Sequence, residues 1–146
     1  MGAIGLEAVE RVICISEKSG LQSAFDAIRE MALAAQDVYS RVWVGALPDA
    51  DSLCMALSAG GEENVDLNLT GDLSLDIVVN DKHAEQGKAL DALADIHHAL
   101  TREKNLPIGD GWQVLSIKTS SAPTYIEFDG DQWLYGSGLE VHVYIE

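Results

Sequence analysis

Residues 73–104 read Leu73-Ser74-Leu75-Asp76-Ile77-Val78-Val79-Asn80-Asp81-Lys82-His83-Ala84-Glu85-Gln86-Gly87-Lys88-Ala89-Leu90-Asp91-Ala92-Leu93-Ala94-Asp95-Ile96-His97-His98-Ala99-Leu100-Thr101-Arg102-Glu103-Lys104, and their apolar period changes partway. Leu73, Leu75, Ile77 and Val79 recur every second residue, as in a strand with one buried face. Leu90, Leu93, Ile96, His97 and Leu100 recur at three-to-four spacing, as on one side of a helix. Asn80-Asp81 is expected to cap that helix, and Asn105-Leu106-Pro107 to stop it near Lys104, since proline cannot continue a helix.

Working outward, Val65, Leu67 and Leu69 carry the same parity up to Gly71-Asp72. Between Leu69 and Leu73 either a hairpin turns or one long strand kinks at the glycine. Leu53, Met55 and Leu57 alternate in a strand that closes on Gly60-Gly61, and residues 38–47 read as another, stopped by Pro48-Asp49. Ser19-Gly20-Leu21-Gln22 is a capping box opening a helix whose stripe is Leu21, Ala24, Phe25, Ile28, Ala32 and Ala35. Leu6, Val9, Val12, Ile13 and Ser16 predict a short helix before it. Downstream, residues 112–119, 123–128 and 132–145 read as three strands, with a turn at Asp129-Gly130-Asp131 and a bulge or bend at Gly136-Ser137-Gly138. Turns this short do not permit parallel crossovers. The expected fold is α+β: a mainly antiparallel sheet with two principal helices on one face, in a single domain over 1–146.

The 146 residues are 47% hydrophobic, 23% charged and hold only 3 Pro, the makeup of one globular unit and not of a disordered chain. Nine Lys and Arg against 24 Asp and Glu give a net charge of −15, which argues against gripping nucleic acid or an acidic membrane. Cys14 and Cys54 form no CxxC pattern, so neither a disulfide framework nor a zinc site is supported; both read as small buried hydrophobes in a reducing cytosol. Residues 1–6 predict no secretory leader, and Leu6 stands where a myristoylation signal needs Ser or Thr. No apolar run is long enough to span a bilayer as a helix.

Reactive chemistry finds little foothold. Asp91, Asp95 and His98 share one side of the second helix at metal-like spacing, but beside the apolar stripe they read as a solvated flank. His97 sits on that stripe as a hydrogen-bonded, half-buried residue, and His142 alternates outward from the last strand. No GxSxG or HExxH occurs, and Gly109-Asp110-Gly111 and Gly136-Ser137-Gly138 match no phosphate-binding loop. Glu62-Glu63 and Asp129 with Asp131 flank turns and do not face one another across a cleft; Asp49 and Asp51 lack the rest of a calcium loop. No catalytic, cofactor-binding or metal-binding residue is expected. Trp43, Trp112, Trp133, Tyr125 and Tyr135 lie in strands, where they fill the core or anchor an interface.

Val42-Trp43-Val44-Gly45-Ala46-Leu47-Pro48, the strand closing on Gly60-Gly61, the strand at 73–80 feeding the long helix, Trp112-Gln113-Val114-Leu115-Ser116-Ile117, Ala122-Pro123, Trp133-Leu134-Tyr135-Gly136-Ser137 and residues 139–144 follow one another in an order that carries a likeness. The chain resembles the minor capsid proteins of long-tailed bacteriophages and prophages that act as tail terminator, or tail completion, proteins. The resemblance implies a non-enzymatic virion protein, made in the bacterial host cytoplasm. Its subunits would form a hexameric ring, end tail tube polymerisation, and meet the tail tube protein on one side and the head connector on the other. It brings no catalytic residue and no cofactor.

Six copies would repel one another, but salt screens exposed charges beyond about 8 Å at physiological ionic strength. Assembly is therefore expected to rest on apolar and strand-edge contacts, and acids facing the hole of a ring would let DNA pass without adhering. Two other readings remain at this level: another neck or tail component, such as an adaptor or tube protein, and a small cytosolic enzyme or ligand-binding domain with a pocket between sheet and helices.

Overall fold

A computed structural model describes residues 19–48, 51–57 and 71–146. Among these, the chain forms α1 (Gly20–Ala35), β1 (Val42–Val44), β2 (Ser52–Leu57), β3 (Gly71–His83), α2 (Gln86–Arg102), β4 (Ile108–Gly109), β5 (Trp112–Asp129) and β6 (Gln132–Ile145). The strands make one sheet in the order β1-β2-β3-β6-β5-β4, antiparallel at every pairing except β1 with β2. The α+β architecture expected from the sequence is present. The expected helix around Leu6, the strand through Val65, Leu67 and Leu69, and Cys14, Asp49, Glu62 and Glu63 lie outside the described residues.

Alternation decides which sheet face the helices cover. Leu73, Leu75, Ile77 and Val79 of β3 stand opposite Val143, Val141, Leu139 and Ser137 of β6, all turned to the core. Phe25 and Ile28 of α1 and Leu93, Ile96 and Leu100 of α2 close over them. Each large aliphatic side chain buried this way contributes roughly 1.5–3 kcal/mol. The capping box forms as its sequence implies, with Ser19 Oγ accepting the Gln22 N–H at 3.1 Å.

Five expectations need correction. Asn80-Asp81 does not cap a helix: β3 runs on to His83, and α2 starts at Gln86 with Glu85 before it and no side-chain cap. Asp81 instead continues the inward series of β3 and is fully buried. The segment 38–47 is strand only over Val42–Val44, because the buried Gln36 side chain takes over the backbone on either side of Val38. Its Nε2 donates to the Leu33 and Tyr39 carbonyls, and its Oε1 accepts from the Val38 and Tyr39 N–H groups, in place of a ladder. β1 lies parallel to β2 although only residues 45–51 join them, a shorter link than parallel neighbours ordinarily need. Leu90, expected on the buried stripe, is 40% exposed, and Ala89 and Ala92 pack beneath α2 instead.

The last correction concerns the C-terminal strands. Residues 112–129 are one strand and not two, with 18 residues beside 14 in β6. The surplus is taken up at four register shifts on β5, while β3 and β6 pair without interruption over their whole contact. The glycines expected to bend β6 lie opposite these shifts: Gly138 pairs with Ser121 and Gly136 with Thr124. A Cβ on Gly136 would come within 2.7 Å of both Asn80 Oδ1 and Ile126 Cδ1, so the glycine makes room for the bulged partner to lean over it. At Gly130-Asp131 both residues have positive φ, 60° and 65°, the two-residue turn that matches strand twist.

Candidate functional site

Among the described residues the sheet has one face that no helix covers, two edges and one buried polar cluster, and each holds side chains that the packing does not consume. The edge at β5 is long. β4 pairs only with Trp112 and Gln113, and beyond these no strand among the described residues covers β5. Tyr125, Ile126 and Phe128 stand about half exposed there. Tyr125 meets the rings of Trp133 and Tyr135 at 6.1 and 6.0 Å between centroids, and Phe128 meets Trp133 at 4.7 Å. An aromatic cluster thus extends the core-facing side of the β5–β6 hairpin past α2, tied back by Gln86 Nε2 donating to the Tyr135 hydroxyl at 2.8 Å. Backbone pairing along this edge is blunted by the register shifts and by Pro123, which has no N–H to offer.

The opposite edge is β1. Arg29 of α1 donates from Nη2 to the Val42 carbonyl at 3.1 Å and from Nη1 to Asp26 at 3.1 Å, while its buried Nε has no partner. Arg41 stacks over Trp43, 3.7 Å from guanidinium carbon to ring centroid. An open groove of about 500 Å³ runs between them, lined also by Glu30, Leu33 and the exposed Val44.

The helix-free face carries acids among bases, Arg41, Lys82 and Lys118 having the same outward parity. Asp72, Asp76 and Glu140 project from it, with Asp76 and Glu140 directly opposite one another and Lys118 on the far side of Glu140. His142 lies 3.4 Å from Glu140.

Inside, Tyr39, Asp81 and His83 form the buried polar cluster. The Tyr39 hydroxyl carries one proton yet faces two acceptors, Asp81 Oδ2 at 3.1 Å and the Lys82 carbonyl at 3.0 Å. A proton on Asp81 satisfies the set, since Asp81 then donates to Tyr39 and Tyr39 to Lys82. Burial pushes the Asp81 carboxyl up to about 8, against a smaller opposing effect of the Tyr39 hydrogen bond. Burial, reinforced by Asp81, also pushes the Tyr39 hydroxyl well above its ordinary value. His83 accepts the Glu85 N–H at Nδ1, 2.9 Å, so its Nε2 carries the hydrogen facing Asp51 at 3.4 Å. Asp51 in turn accepts the Ala84 N–H at 3.0 Å, fixing the start of β2 to the end of β3.

The remaining sequence candidates are dispersed. Asp91, Asp95 and His98 are exposed on α2, and Asp129 and Asp131 are exposed at the hairpin turn. Among the described residues no three His, Cys, Asp or Glu side chains gather as metal ligands. His97 is hydrogen-bonded, Nδ1 to Thr119 Oγ1 at 2.8 Å, but more deeply buried than half, and that burial holds its pKa below the ordinary value. Cys54 is buried and its thiol is pushed up chiefly by that burial. Of the five aromatics, Tyr135 is buried, Trp43, Trp112 and Trp133 are partly so, and Tyr125 is half exposed. Among the described residues no helix is long and apolar enough to cross a membrane. Sequence reasoning missed Asp81 and the bulged β5. The inward parity of Val79, Asp81 and His83 was the available signal for the first.

No family model matches the chain, and no curated protein matches it. Among solved structures it is similar to a chain of the virion of a native gene transfer agent particle, at 16% identity and a TM-score of 0.56, over 82% of this chain and 92% of that one. The two share a fold.

Proposed function

We propose that this chain is a structural, non-enzymatic protein of a phage-like virion, and that its place is the tail terminator ring between tail tube and head connector. The observation that carries the reading is the fold it has in common with nearly the whole of a chain from a gene transfer agent virion. The order of motifs around Trp43, Trp112 and Trp133 points to the terminator role within that setting. The chemistry fits a part that works by contact. Its open edges carry aromatic side chains suited to anchoring neighbours, and Asp72, Asp76 and Glu140 on its helix-free face are suited to lining a passage for DNA.

Electron micrographs of particles assembled without this chain test the role. Overlong or irregular tail tubes are expected. Tubes of normal length that fail only to acquire heads would move the chain to an adaptor position, and intact infectious particles would overturn the reading altogether.

A further inference from the structure

The two edges of the sheet carry opposite, unspent charges in the same cross-strand row. Ser52 pairs with Lys82, Lys82 with Leu134, and Leu134 with Glu127 at the β5 edge. Arg41, immediately before β1, extends the parallel register in which Val42 faces Leu53, and so continues that row at the other edge. The neighbouring row, Val42, Leu53, Asp81, Tyr135 and Tyr125, turns its buried members to the core. The Arg41–Glu127 row therefore faces away from the helices, as the stacking of Arg41 on Trp43 two residues on requires. Both are exposed, and among the described residues neither has an ion-pair partner. Arg41, held over Trp43 but without an ion pair among the described residues, stands beside an open groove at a sheet edge.

We infer that the groove at Arg41 and Trp43 receives the β5–β6 hairpin tip of a second copy, with Glu127 meeting Arg41 on the face away from the helices and Phe128 entering beside Leu33 and Val44 on the helix side. This rests on the assembly reading above and names the contact for it. Charge complementarity selects the occupant: the tip carries Glu127, Asp129 and Asp131, and the groove presents Arg41, while Arg29 is held by Asp26 and Glu30 is the one acid in its lining. The contact is head to tail, because the complementary patches lie on opposite edges, and such contacts close into rings when the rotation permits. A cross-strand row runs perpendicular to the strands, so strands running along the ring axis place both patches at one level of that axis, as cyclic symmetry demands. Two β5 edges facing one another would instead set acid against acid across a strand broken by Pro123.

Thiol crosslinking of the full-length chain decides it. In a Cys14→Ser background, Ser40→Cys and Thr124→Cys variants, which keep Arg41 and Glu127, are purified, mixed and treated with a short bis-maleimide. A covalent dimer is expected only in the mixture, and a ladder of higher multiples from the chain carrying both cysteines. Adding Arg41→Glu to the Ser40→Cys chain should lower the crosslinked yield with the Thr124→Cys chain about tenfold, and adding Glu127→Arg to the Thr124→Cys chain should restore it. Dimers from either single variant alone, or no dimer in the mixture, would overturn the inference. Terminator activity is read separately: overlong tails in the deletion with no crosslink sink this contact and spare the role, whereas a crosslink with normal deletion tails does the reverse.

Discussion

Among the described residues, Asp81 is the carboxyl whose burial most ties stability to acidity. Its folded-state carboxyl is raised to about 8 by burial, so the folded chain holds a proton that the unfolded chain releases near its ordinary value of 3.8. The stability it contributes is complete below that ordinary value and is lost as pH rises through the folded value. Asp81→Asn keeps a donor toward Tyr39 without a titrating proton. It should therefore raise the melting temperature by several degrees at pH 8.5, by less at pH 5, and flatten the slope between; an unchanged slope would show that another group governs it. The sequence makes this residue hard to place. Asn80-Asp81 before a helical period looks like a cap, and only the parity shared with Val79 and His83 reveals that the strand has not ended.

Elements with one clean period were legible in the sequence, and those that owe their shape to a neighbour were not. α1, α2, β3 and β6 follow from apolar spacing, because burial of one face dictates both the period and the structure. β1 is cut short by the Gln36 side chain, and β5 is held continuous through Ala122-Pro123 by pairing with β6, contacts that no local pattern encodes. The glycines of β6 were legible as exceptional but not as to which strand bends. Gly136→Val should destabilise the protein by about 1–3 kcal/mol in urea unfolding, since the added atoms meet Asn80 and Ile126 and the bulged strand must shift. A loss below a few tenths of a kcal/mol would mean that β5 can lift away freely at this point.

For the whole molecule, composition alone gave the acidic balance, but not that Asp72, Asp76 and Glu140 collect on the face the helices leave bare. If that face lines a channel, Asp76→Lys together with Glu140→Lys should slow delivery of DNA from otherwise normal particles several-fold, more so at low salt, while leaving particle yield unchanged. Equal delivery kinetics would remove the acids from the channel. The irregular β5 margin has a consequence of another kind. Cells building virions accumulate many identical subunits before there is anywhere to put them, and a straight, fully hydrogen-bonding margin would invite them to zip together into filaments. A proline and four slips of register leave that margin few consecutive donors and acceptors to share. On the virion role proposed above, free copies would then resist zipping through this margin, and joining would fall to side chains.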